Sequence, residues 1–80
     1  MNQFIYTEEY RIINVTNILY IYIDEDKDCI MARLGHNIPS RPILTCKSRK
    51  EADERMDEIM AALAQGQSYS VREVEGYNAW

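Results

Sequence analysis

Glycine, proline, cysteine and histidine are scarce in this chain, with three, two, two and one copies. Gly35, Gly66 and Gly76 stand apart from one another, so no glycine-rich loop exists to wrap backbone N–H groups around a phosphate. Cys29 and Cys46 have no C-x-x-C partner and lie within apolar runs, the pattern of reduced, partly buried thiols rather than of a disulfide or a zinc knuckle. His36, in "LGHNIP", has no second histidine and no acidic residue beside it in sequence, so a ligand or general-base role would need partners from elsewhere in the fold. Positive charge is also short. Nine Lys and Arg against thirteen Asp and Glu give a net charge of −4, and the basic pair Arg49–Lys50 sits beside Glu51, Asp53 and Glu54. A face able to neutralise phosphates is missing, which argues against direct nucleic-acid binding. No apolar run approaches the ~20 residues that span a bilayer, and "MNQFIYTEEYR" has neither the basic start nor the apolar core of a secretory signal. These absences predict a cytoplasmic protein that is not an enzyme and has no catalytic, metal or cofactor-binding residues.

What is present is enough apolar material for one core: 46% of the residues are hydrophobic in a chain of 80. A domain of this size buries only about 60% of the surface its unfolded chain exposes, so association with a second molecule is a common remedy. We expect a single α+β domain over 1–75 and a flexible tail over 76–80.

The clearest element is a helix over 49–64. Ser48 and Glu51 form an S-x-x-E capping box, in which the Ser48 hydroxyl accepts from the Glu51 N–H and the Glu51 carboxylate returns to the Ser48 N–H. Ala52, Met56, Ile59, Met60 and Leu63 recur at helical spacing, and Asp53, Glu54, Arg55, Asp57 and Glu58 fill the opposite face. Gly66 supplies the left-handed residue that ends the helix.

Elsewhere the period is two, with β-branched and aromatic residues dominant. Strands are predicted over 11–15, 18–24 ("ILYIYID", read as a central strand), 29–34, 42–47 and 68–74. The expected fold is a small antiparallel β-sheet of 4–5 strands with the amphipathic helix packed on one face.

Between the second and third of these strands lies "DEDKD". Asp24, Asp26 and Asp28 stand at alternate positions, like the opening carboxylates of a calcium loop. Such a loop needs glycine at its sixth position and glutamate at its twelfth; the chain offers Cys29 and Gly35. The segment reads instead as the solvated tip of a β-hairpin.

One helix covers one face of a sheet, and the strands here are apolar on both. Ile18, Tyr20, Tyr22 and Met31, with Tyr10 and Tyr69, are the residues expected on the second face, and tyrosine and methionine are enriched where protein surfaces meet. The expectation is a protein–protein interaction module or accessory subunit, homodimeric through this face or through edge-strand pairing. The alternative is an acidic inhibitor or nucleic-acid mimic that blocks a basic groove. There, Asp24, Glu25, Asp26 and Asp28 of the tip, with Asp53, Glu54, Asp57 and Glu58 of the helix, imitate phosphates.

The segments "YRIINVTNILYIYID" and "SRKEADERMDEIMAAL" resemble small, mostly uncharacterised proteins of Gram-positive bacteria, their phages and mobile elements. In those proteins short strands lead into a Ser-capped amphipathic helix. The resemblance spans roughly residues 10–65 and implies fold alone, with no catalytic residue. "IINVTNILYI" is also similar to the opening of LytTR-type DNA-binding domains, but their basic contact residues are missing here.

Overall fold

A computed structural model of the chain describes residues 2–71. The expected tail over 76–80 and the end of the strand expected over 68–74 lie outside the described residues. Among these residues the elements are β1 (Phe4–Tyr6), β2 (Ile12–Asn14), a 3-10 turn (Val15–Asn17), β3 (Tyr20–Asp24), β4 (Cys29–Arg33), β5 (Arg41–Thr45), α1 (Arg49–Ala64) and β6 (Tyr69–Ser70).

The helix starts and stops where its sequence dictates. Ser48 has extended backbone geometry and its Oγ accepts from the Glu51 N–H at 3.1 Å. The return half of the box is displaced by one residue, because Glu51 Oε1 accepts from the N–H of Lys47 rather than that of Ser48. At the other end Gly66 has φ +75°, the Gln67 N–H reaches Ala62 O and the Gly66 N–H reaches Leu63 O. This is the paired reverse-bond pattern of a Schellman ending, which needs the left-handed residue that glycine provides without strain. Gln3 adds a long-range tie, its side-chain amide donating to Leu63 O and Gln67 O at 3.0 Å each.

The strands form two sheets of three, with orders β2-β1-β6 and β3-β4-β5, instead of one antiparallel sheet of 4–5 strands. Two short pairings account for the difference. The segment Phe4–Tyr6 forms a strand that sequence reading passed over, and it pairs antiparallel with β2 and parallel with β6. β4, not β3, is the centre of the larger sheet, and the segment read as central is one of its edges. That strand also starts later than expected, since Ile18 closes the 3-10 turn, whose first turn is held by the Asn14 side chain accepting from the Thr16 N–H.

In an antiparallel ladder, directly opposed residues share a face and successive residues alternate. Ile21 opposes Ala32 and Ile23 opposes Ile30. These form the inner face, with Ile30 and Ala32 fully buried. The core joins them to Ile5 and Ile13 of the small sheet, Ile43 and Leu44 of β5, Ala52 and Ile59 of the helix, and Tyr69 and Val71. Met56 and Leu63 pack at its margin, whereas Met60, expected in the apolar stripe, is exposed. Ala62, on the other flank of the stripe, packs against the core instead.

β5 carries a register shift opposite Ile30 and Met31, and Ile43 is passed over between the Leu44 and Pro42 pairings. The irregularity suits Pro42, which has no N–H to give a ladder. It also leaves the Ile43 carbonyl free to accept from the Glu8 N–H at 3.0 Å.

Candidate functional site

The outer face of the larger sheet follows from the same register. Tyr20 opposes Arg33, Tyr22 opposes Met31 and Asp24 opposes Cys29. The helix and the small sheet lie on the inner side, so these side chains have much less cover. Tyr20 is 54% exposed, and Tyr22, Met31 and Arg33 are half-buried. The Tyr20 and Tyr22 rings lean on each other, with centroids 5.6 Å apart and planes at 53°, a tilted aromatic contact that spreads them over the sheet. Arg33 lies toward the far end of this face, its Nη2 donating to His36 O at 3.0 Å.

One corner of the outer face is closed. The turn after β1 is built by Thr7, whose buried hydroxyl accepts from the Arg11 N–H and whose own N–H donates to Arg11 O. This turn carries Glu8 to the free edge of β5, where Glu8 Oε1 accepts from the Thr45 N–H at 2.7 Å and Oε2 from the Thr45 hydroxyl at 2.8 Å. Cys29 sits beneath this corner, 3.5 Å from the Met31 sulfur and 3.8 Å from Thr45 Oγ1. Burial pushes its thiol pKa up, the Thr45 contact lowers it and the Glu8 charge raises it again. A shift in this direction reduces the thiolate, the form of cysteine that acts as a nucleophile.

The six residues expected to make contacts therefore divide. Tyr20, Tyr22 and Met31 share the outer face. Ile18 does not join them: it is partly buried against the core from its position before β3. Tyr69 is a core residue, 5% exposed, because β6 pairs with β1 and turns its ring inward. Its hydroxyl donates to Glu58 Oε1 at 3.2 Å, and burial first, then the Glu58 charge, push its pKa well up. Tyr10 is exposed, but it belongs to the β1–β2 turn, where its φ of +62° places a non-glycine residue in the left-handed region. Arg33 completes the outer face and was not singled out from sequence. Its alternation with Met31 carried the signal.

The acidic residues are distributed over two elements that one arginine joins. Arg49 meets Asp53 at 3.0 Å and Glu25 of the hairpin tip at 3.2 Å, and both carboxylates hold its pKa up. Arg55 meets Glu58, which also accepts from Tyr69. Within the tip, Asp24 Oδ1 accepts from the Asp26 N–H and Asp28 has φ +49°, the geometry of a tight turn in which aspartate is tolerated. Glu54, Asp57 and Asp26 point to solvent. No group of three or more His, Cys, Asp or Glu side chains converges to hold a metal among the described residues.

Comparison with protein-family models, with curated proteins and with solved structures gives no match. Among the described residues no helix is long and apolar enough to cross a membrane.

Proposed function

We propose that this α+β domain works as a self-associating protein–protein interaction module, with Tyr20, Tyr22 and Met31 as the contact surface between copies. One observation carries the reading. The helix and the small sheet both serve the inner face of β3-β4-β5, and a leaning pair of tyrosines is left on the outer face with Tyr20 more than half exposed. Tyrosine supplies large contact area at small cost in conformational entropy and keeps a polar tip for a partner, so a pair on a rigid sheet suits an interface. No catalytic step and no cofactor is assigned to the chain.

The acidic-mimic reading has less support. Glu25, Asp53 and Glu58 are engaged by Arg49 and Arg55, which lowers the charge that the tip and the helix could present to a basic groove.

The test is self-association of the full chain. Sedimentation velocity through tens of micromolar should show the wild type associating and the Tyr20→Asp/Tyr22→Asp variant remaining monomeric with an unchanged circular-dichroism spectrum. Association that survives the double substitution, or a wild type that stays monomeric throughout, contradicts the reading.

A further inference from the structure

We infer that the partner is a second copy of this chain, joined by antiparallel pairing of β3 with β3 across a two-fold axis at Tyr22, so that two three-stranded sheets become one continuous sheet. This rests on the reading of the tyrosine face as the contact surface between copies, and adds the strand pairing and its register.

The edges of the molecule single out β3. A strand edge presents unpaired N–H and C=O groups and pairs with another chain unless it is blocked, shortened or charged. The other edge of this sheet, β5, is blocked by Glu8, which engages Ile43 O, the Thr45 N–H and the Thr45 hydroxyl. Among the described residues the edges of the small sheet are strands of three and two residues. β3 has five residues, "YIYID", with no proline and no lysine, and no described residue pairs with its outer edge.

The sequence of β3 complements itself in one orientation. About a two-fold axis at Tyr22, Tyr22 meets its own counterpart, Ile21 opposes Ile23 of the second copy, and Tyr20 opposes Asp24 of the second copy. Every pair then joins side chains of the same face. The isoleucine pairs extend the inner, apolar side, and the outer side gains a band of four tyrosines from the two copies. Each cross-strand row at the ends of that band runs Arg33, Tyr20, Asp24 of the second copy, which places a cation and an anion on either side of a tyrosine hydroxyl.

Charge also sets the direction. Parallel pairing would lay the two acidic hairpin tips, each with Asp24, Glu25, Asp26 and Asp28, beside each other. Antiparallel pairing puts them at opposite ends of β3, about 16 Å apart for a strand of this length, which is beyond the Debye length of about 8 Å at physiological salt.

Cysteine cross-linking of the full chain tests the geometry. Across the axis the two Tyr22 Cα atoms would lie about 5 Å apart, within reach of a disulfide. The two Met31 Cα atoms would be about 14 Å apart, two strand spacings further, and out of reach. Tyr22→Cys should therefore give at least about tenfold more covalent dimer than Met31→Cys under mild oxidation, the disulfide limit being the deciding distance. The double variant Tyr20→Cys/Asp24→Cys, whose two positions oppose each other only between copies, should cross-link as readily as Tyr22→Cys and covers the case in which loss of Tyr22 disturbs the fold. Equal cross-linking at Met31 and Tyr22, with association still lost in Tyr20→Asp/Tyr22→Asp, means face-to-face stacking; it overturns the edge-paired dimer and leaves the tyrosine-face reading intact. A wild type that is monomeric at every concentration overturns both.

Discussion

The two edges of the larger sheet, β3 and β5, differ in how their backbone groups are treated. β5 is closed by a residue brought from far away in sequence: Glu8 uses its N–H and both carboxylate oxygens to occupy Ile43 and Thr45. β3, of the same length, has β4 on one side and tyrosines on its outer face. The cap on β5 is made of charge-assisted hydrogen bonds that need a buried threonine and a tight turn to position them. Among the described residues such a device closes one edge of the sheet and none pairs with the other, which leaves β3 as the direction for sheet extension.

Substitutions can break this contrast at successive levels. The largest effect is expected from Ile30→Ala, which empties a fully buried position facing both β5 and the helix. It should cost about 2–5 kcal/mol in denaturant unfolding and weaken both edges alike. Glu8→Ala should cost about 1.5–3 kcal/mol, the scale of hydrogen bonds to a charged group. It should also give β5 the open character of β3, read as aggregation at concentrations where the wild type stays soluble.

Alkaline titration probes the small sheet. Tyr69 keeps its proton to higher pH in the folded chain than its ordinary value of 10.0. Its contribution to stability is therefore complete below that pH and is lost as pH rises above it, with a slope of at most about 1.4 kcal/mol per pH unit for one proton. Tyr69→Phe should flatten that decline in thermal unfolding measured from neutral pH upward. Ser48→Ala should cost about 1 kcal/mol through the lost helix cap and leave both edges as they are. Tyr20→Asp/Tyr22→Asp should change the stability of the isolated fold least, by within about 1 kcal/mol for such exposed and half-exposed sites, while removing association.

The sequence was most legible where structure is local. Ser48 and Gly66 mark the two ends of the helix because capping depends on neighbours a few residues away. The outer face could be read from the alternation of Tyr20 and Tyr22, and of Met31 and Arg33, once their strands were recognised. What could not be read depends on distant pairing. Phe4–Tyr6 has too few residues to show a period, and its parallel partner Tyr69–Ser70 lies at the other end of the chain. That unseen pairing is why Tyr69, a residue type common at surfaces, belongs to the core. Ile18 misled for another reason. It continues the apolar run of β3, but Asn14 has already turned the backbone into a 3-10 turn that ends there. Whether β3 is central or an edge depends on its neighbours, and its own composition, apolar on both faces, suits either place.

Amide hydrogen exchange of the wild-type chain at low and high protein concentration reports whether the outer edge of β3 becomes paired on association. The β3 amides that face away from β4 should exchange freely when dilute and slow by about tenfold or more as the chain associates, while the Thr45 amide, already bound to Glu8, should be equally protected in both samples. Outward β3 amides that exchange at one rate across the concentration range, in a sample shown to be associated, would contradict it.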